Sequence, residues 1–194
     1  MVSYCHMAAV ASAFTFDEFV SLPDPPSGHL ELHDGEVVTV PQKTQSHSRI
    51  QRTLFILLLP KTEGKGFFNF EFPFRATGNE WRRADLAFVV EERSDIPDPY
   101  LVGAPDWVIE VLSPSNTVME MNQKIEVCMA NGCHCFWVVD PKRRTVSVTE
   151  RQKEQGHGVA APAGTFVTTH FVFSQSVPLP FPLEGSIAVA AVFG

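Results

Sequence analysis

One carboxylate in the middle of an apolar strand constrains this chain more than any other feature. Residues 106–115 read Asp106-Trp107-Val108-Ile109-Glu110-Val111-Leu112-Ser113-Pro114-Ser115. The β-branched and large apolar residues at the centre of this run favour a strand. Side chains alternate along a strand, so Trp107, Ile109 and Val111 take one face, and Asp106, Val108, Glu110 and Leu112 the other. Glu110 therefore lies between Val108 and Leu112 on its own face. A buried, unpaired charge is costly, so Glu110 requires a partner, a metal or water.

A chain of 194 residues suits one domain with a sizeable core, and we expect residues 1–13 to be a flexible leader and 14–194 a single domain. With 44% hydrophobic and 19% charged residues the composition is that of a soluble globular protein. The net charge of −7 argues against electrostatic coating of nucleic acid but leaves room for a local basic groove. No apolar run is long enough to cross a bilayer, and the N-terminus lacks the basic region of a signal peptide. Cys5, Cys128, Cys133 and Cys135 include no C-x-x-C pair, so core thiols are expected rather than a zinc site. Reduced thiols without an export signal point to the cytoplasm.

The elements follow in order. Phe14–Phe19 predicts a short helix with Thr15 and Glu18 as a capping box and Phe14 stapled onto Phe19. Leu30–Val40 predicts a hairpin turning at Asp34-Gly35. A helix from about Ser46 carries Ile50, Leu54, Leu57 and Leu58 at helical spacing, and Pro60 stops it. In the strand Phe67–Arg75, Phe68, Phe70, Phe72 and Phe74 share a face. Ala84–Val90 is a strand with Asp85, Ala87 and Val89 on one face, and residues 91–105 form a surface loop. Thr117 and Glu120 cap a helix to about Asn131, stopped by Gly132 and buried through Met121, Ile125, Cys128 and Met129. Strands are expected over 134–139, 144–150 and 165–173, with a polar loop over 151–164 and an extended Pro-rich tail.

Asp85 and Glu110 are the principal chemical candidates. They lie on strands joined by a loop and can share a sheet face. Two close carboxylates repel unless a cation or proton separates them, and hard oxygen ligands suit Mg²⁺ or Mn²⁺. Lys124, on the next helix, is placed to stabilise an oxyanion or orient a water. The plain alternative is that Asp85 ends a strand at the surface and Glu110 pairs with an arginine. Glu31 is a third acid, with Glu36 and Glu71 as weaker ones. His47 reads as a helix-end hydrogen-bonding residue, with a phosphate contact as its alternative. Ser113 and Ser115 read as turn residues, and no phosphate-binding glycine loop is present.

Taken together, Glu31-Leu32-His33-Asp34-Gly35-Glu36, Arg83-Ala84-Asp85, Pro105 through Ser115, Lys124, Gly132 and Phe136-Trp137-Val138-Val139-Asp140-Pro141 resemble the Uma-two family of restriction-endonuclease-like proteins, within the PD-(D/E)XK nuclease superfamily. The resemblance implies an α/β (α+β) fold with a mixed central sheet flanked by helices. It also implies a divalent-metal site in which Asp85 and Glu110 are the metal ligands. Leu112 stands where the motif's lysine is expected, and Lys124 matches its migrated position on the following helix. Glu31 matches an N-terminal acid, a candidate for a second metal or a metal-bound water. Ala84 replaces the usual proline before Asp85.

The expected activity is Mg²⁺- or Mn²⁺-dependent hydrolysis of DNA phosphodiester bonds by Asp85, Glu110, Lys124 and Glu31. Arg82, Arg83, Lys142, Arg143 and Arg144 are candidate backbone contacts, and a homodimer is expected by analogy with nucleases that cut both strands. The rival readings are a catalytically silent interaction module on a nuclease fold and a hydrolase of another phosphate ester.

Overall fold

The computed structural model describes residues 13–96, 100–151 and 165–194. Helix α1 (Phe16–Phe19) carries the expected Thr15–Glu18 capping box. Phe16 and Phe19 bury against Trp81, whereas Phe14 remains 39% exposed. Strands β1 (His29–His33) and β2 (Glu36–Val40) form the expected hairpin. Its turn residues Asp34 and Gly35 have φ of 49° and 84°, the left-handed pair that a two-residue turn between twisted strands demands. Helix α2 (Gln45–Leu58) follows, with Thr44 capping its start.

The sheet is then built from β3 (Gly66–Ala76), β4 (Glu80–Val90), β5 (Leu101–Val102) and β6 (Trp107–Val111). Helix α3 (Val118–Ala130) crosses over to β7 (Cys135–Asp140), which pairs parallel with β6. Parallel neighbours need such a crossover. Strands β8 (Thr145–Arg151) and β9 (Phe166–Phe171) extend the sheet antiparallel. The strand order is β2-β1-β4-β6-β7-β8-β9, with β3 on β4 and β5 on β3. The tail folds back as β10 (Ser176–Pro178), β11 (Ser186–Ala188) and α4 (Val189–Phe193). This is the mixed α/β fold expected from the sequence.

Alternation along β6 divides the core as its sequence predicts. Trp107, Ile109 and Val111 pack with Ile50, Leu54 and Leu58 of α2 and with tail residues Val177, Ile187 and Val192. Val108 packs on the opposite face with Met121, Cys128 and Met129 of α3. Trp107 and Trp137 meet edge to face at 4.6 Å, a geometry that adds to the area they bury. Cys128, Cys133 and Cys135 are buried thiols, held above their usual pKa range by that burial.

Alternation fails in two adjacent strands, and both failures lie beside the acids. Phe68 joins the α2 face, Phe72 and Phe74 join the α3 face, and Phe70 is exposed, so the four phenylalanines do not share a side. The change occurs across Glu71, whose φ of 46° reverses the expected face. On β4, Leu86 and Phe88 belong to the α2 face, yet Ala84 joins Ala87 and Val89 on the other. The strand is also longer than expected and takes in Arg82 and Arg83. The segment 91–105, expected as a surface loop, buries Leu101 and Ala104 and adds β5 to the sheet. The leader over 1–12 and most of the polar loop, 152–164, lie outside the described residues.

The α3 capping box fixes the helix that carries Lys124. Thr117 Oγ1 accepts from the Glu120 N–H at 3.2 Å, and Glu120 Oε2 accepts from the Thr117 N–H at 2.8 Å. Thr117→Ala is expected to lower stability by about 1 kcal/mol in urea unfolding. An unchanged midpoint would show that tertiary packing alone sets this helix end.

Candidate active site

The β4–β6 ladder runs through Phe88–Trp107, Ala87–Val108 and Leu86–Ile109. At the next position side chains replace backbone partners. The Asp85 N–H donates to Glu110 Oε1 at 3.2 Å, and the Val111 N–H donates to Asp85 Oδ2 at 2.7 Å. Each acid thus satisfies a backbone donor on the other's strand where the strands part. Both side chains are buried, Asp85 at 1% exposure and Glu110 at 5%.

Asp85 draws its other partners from α2 and the residues before it. His47 Nε2 donates to Asp85 Oδ2 at 2.9 Å, and the Lys43 ammonium lies on Oδ1. Gln51, one turn beyond His47, donates to the Asp85 carbonyl at 3.1 Å and to Glu71 Oε1 at 2.8 Å. Glu110 is served from the other side of the sheet. Lys124 Nζ lies 2.8 Å from Glu110 Oε1 and donates to the Arg83 carbonyl at 2.8 Å.

Glu31 stands one residue aside. Its Oε1 accepts from the Arg83 N–H at 3.0 Å, and its Oε2 lies 2.8 Å from His33 Nε2. His29 approaches Oε1 at 3.4 Å. The Arg83 backbone thus contacts Glu31 through its N–H and Lys124 through its carbonyl, on either side of one Cα.

These environments set the charges. Burial would raise Asp85, but the His47 hydrogen bond and the Lys43 and Lys124 charges outweigh it and bring the carboxyl down to about 2. Burial pushes Glu110 up to about 7, with Lys124 opposing the rise and the Asp85 charge adding to it. Burial would likewise raise Glu31, yet Lys124, His29 and His33 hold it well below the usual carboxylate range. Burial would lower both lysines, but the facing carboxylates hold Lys124 and Lys43 above the ordinary lysine value.

A family model described as "Uma2: Putative restriction endonuclease" matches residues 16–178. The chain belongs to the Uma2 family. Among solved structures, this Uma2 protein is similar to a crystal structure from Anabaena variabilis ATCC 29413 described as a putative nuclease belonging to DUF820. The two share 24% identity over 93% of this chain and 97% of that one, with a TM-score of 0.74, a likeness that establishes the fold. No curated protein matches the chain.

The Uma2 structure brings Asp85, Glu110 and Lys124 together and places Glu31 beside them. Four further residues enter the site that sequence reading left out or ranked low: Lys43, His47, Gln51 and Glu71. His47 is a hydrogen-bonding residue in the first turn of α2, and its partner is the buried Asp85. One signal for it exists in the sequence. Positions 47, 50, 51, 54 and 58 form one helical stripe, and a histidine and a glutamine interrupt its apolar run. No local pattern marks Lys43.

The expected phosphate contacts are largely committed elsewhere. Arg82 is buried and bonded to Glu80 at 2.7 Å, Arg143 pairs with Asp140 at 3.1 Å, and Arg144 lies 3.8 Å over the Phe173 ring.

Asp85 and Glu110 suit a hard divalent cation as a donor set, since both are carboxylates held close on neighbouring strands. Among the described residues no cluster of three or more His, Cys, Asp or Glu side chains is arranged to hold a metal. Such an ion would thus take its remaining ligands from water or substrate. The Lys43 side chain beside Asp85 is 25% exposed and has a path to solvent.

Because the Glu110 pKa is raised on folding, the folded state binds its proton more tightly than the unfolded chain does. Its contribution to stability is full below the ordinary glutamate value of 4.5 and is lost as pH rises through about 7. In chelated protein, the melting temperature of Glu110→Gln should therefore gain on wild type between about pH 5 and about pH 8. Parallel curves would show that Glu110 is ionised throughout.

Proposed function

We propose that this chain is a metal-dependent endonuclease that hydrolyses DNA phosphodiester bonds, with Asp85 and Glu110 as ligands of Mg²⁺ or Mn²⁺ and Lys124 as the catalytic cation. The observation that supports this reading most directly is spatial. Two acids 25 residues apart meet where β4 and β6 part, and an amine from the following helix stands on Glu110. Membership of a family described by its restriction-endonuclease likeness supports the nuclease class and a DNA substrate.

A bound divalent ion supplies a Lewis acid for the phosphoryl oxygen and a water of lowered pKa. The chain's own residues do the rest. His47 and the Val111 N–H orient Asp85 and keep it ionised. Lys124, held above the ordinary lysine value, stays cationic. It therefore stabilises negative charge on the pentacovalent phosphorus and is not a proton acceptor. Glu31 acts through the Arg83 backbone, anchoring at its N–H the residue whose carbonyl holds Lys124. We read it as a positioning residue; the resemblance gave it a second metal or a metal-bound water. A symmetric homodimer would present two such sites to the two strands of a duplex. A cytoplasmic location agrees with the buried, unpaired thiols of Cys128, Cys133 and Cys135. No helix among the described residues is long and apolar enough to cross a membrane.

With Mg²⁺ and plasmid DNA, wild type is expected to nick or linearise the substrate. Asp85→Ala, Glu110→Ala and Lys124→Ala should each lose about 10²-fold or more in rate. Equal cleavage by all three would remove this site from the reaction. Turnover of mononucleotide diesters without DNA cleavage would move the assignment to another phosphate ester, and an intact fold that binds no Mg²⁺ would favour a silent interaction module.

A divalent ion on Asp85 competes with the Lys43 ammonium, so Lys43→Met should bind Mn²⁺ roughly tenfold more tightly by calorimetry. Weaker binding would show that Lys43 supports the metal site instead of occupying it.

A further inference from the structure

The chain carries a net charge of −7, yet no acid occurs between Glu36 and Glu63, a stretch that holds Lys43, Arg49, Arg52 and Lys61. Helix α2 lies within it. Arginines elsewhere, Arg83 apart, are engaged by the protein itself. Arg75 stacks on Phe16, Arg82 and Arg93 pair with Glu80 and Asp106, and Arg151 bonds the Met129 carbonyl. Arg143 and Arg144 are held as described above, and Arg83 is half-buried with its Nε shielded from solvent. Arg49 and Arg52 differ. Both are exposed, and neither has an acidic partner among the described residues.

Arg49 and Arg52 are a single turn apart and border an open groove with Gln45, Ser46 and Ser48. At 3.6 residues per turn this face of α2 is opposite the one that presents His47 and Gln51 to Asp85. The two faces meet at the start of the helix, from which Lys43 reaches Asp85. A helix is about 10–12 Å across, so about one helix width separates the groove from the carboxylates. Two guanidinium forks and two hydroxyls match phosphate oxygens in charge and donor geometry.

We propose that the groove lined by Gln45, Ser46, Ser48, Arg49 and Arg52 binds phosphates of the DNA strand flanking the scissile bond. This rests on the nuclease reading above and identifies which surface of an acidic protein engages a polyanion. It replaces Arg82, Arg143 and Arg144 as the expected backbone contacts.

The test is anisotropy of a labelled duplex with Mg²⁺ in a Glu110→Gln background, which suppresses scission. Adding Arg49→Gln and Arg52→Gln should weaken binding about tenfold at about 0.1 M salt. It should also make the slope of log K against log salt shallower by about 1.8, the loss of two phosphate contacts. A charge-matched control, Lys142→Gln with Arg143→Gln, should leave the slope unchanged. The same slope and affinity with and without the α2 arginines, no binding by the parent, or an equal loss in the control would each overturn the proposal. With Glu110 intact, hydrolysis of bis(p-nitrophenyl) phosphate should be unaffected by the two arginine substitutions. A loss there equal to the loss on DNA would also overturn it, since the arginines would then act on the chemistry or the fold. If the parent hydrolyses neither this diester nor DNA, the nuclease reading fails, while the binding comparison still decides the groove.

Discussion

The structure turns on an exchange of hydrogen bonds between two strands at the point where they separate. Asp85 accepts from the Val111 N–H, and Glu110 accepts from the Asp85 N–H. A buried strand end that leaves its ladder exposes donors that must be satisfied. Here carboxylates satisfy them, so the requirement that closes the backbone also draws two acids to one place. The distortions around them fit this picture. Glu71 takes a left-handed φ, and the faces of β4 change between Ala84 and Leu86. Regular alternation would have sent these side chains to opposite faces or into the apolar layers.

Placing acids in that position creates an electrostatic problem, which the two layers of helix solve from opposite sides. Residues in and before α2 deliver His47 and Lys43 to Asp85, while α3 delivers Lys124 to Glu110. The result is asymmetric. Asp85 is held ionised, whereas Glu110 is pushed up to about 7 because burial outweighs the attraction of Lys124. A cation bound by both acids would have to displace any proton on Glu110, since a carboxylate ligand must be deprotonated. Glu31 extends the same network through the backbone of Arg83, whose N–H meets Glu31 and whose carbonyl meets Lys124.

The inner face of α2 supports Asp85, and its outer face carries two exposed arginines without acidic partners among the described residues. Acidic residues dominate the chain as a whole, but the stretch containing this helix has none. A substrate with a repeating negative charge would therefore meet its favourable surface beside the carboxylates and little of it elsewhere.

Much of this was readable from the sequence because it depends on neighbours along the chain. The alternation of β6, the two capping boxes, the Asp34-Gly35 turn and the buried stripe of α3 follow from local periodicity and backbone preference. Glu110 declared itself as an acid in an apolar strand, Asp85, Lys124 and Glu31 followed from strand faces and helix position, and resemblance to the Uma-two pattern gave them roles. What periodicity could not supply was the break in it. The left-handed residue at Glu71 scattered the four phenylalanines, and the same region brought Asp85 within reach of α2. His47 left a faint trace as a polar residue in an apolar stripe, but Lys43 left none, because its partner is 42 residues away and only the packing of α2 on the sheet joins them. By itself, the sequence determined most of the strands, helices and turns along the chain and that one buried acid needed company. Tertiary structure alone decided who that company was, since the pairing of charges depends on distances through space that no spacing along the chain encodes.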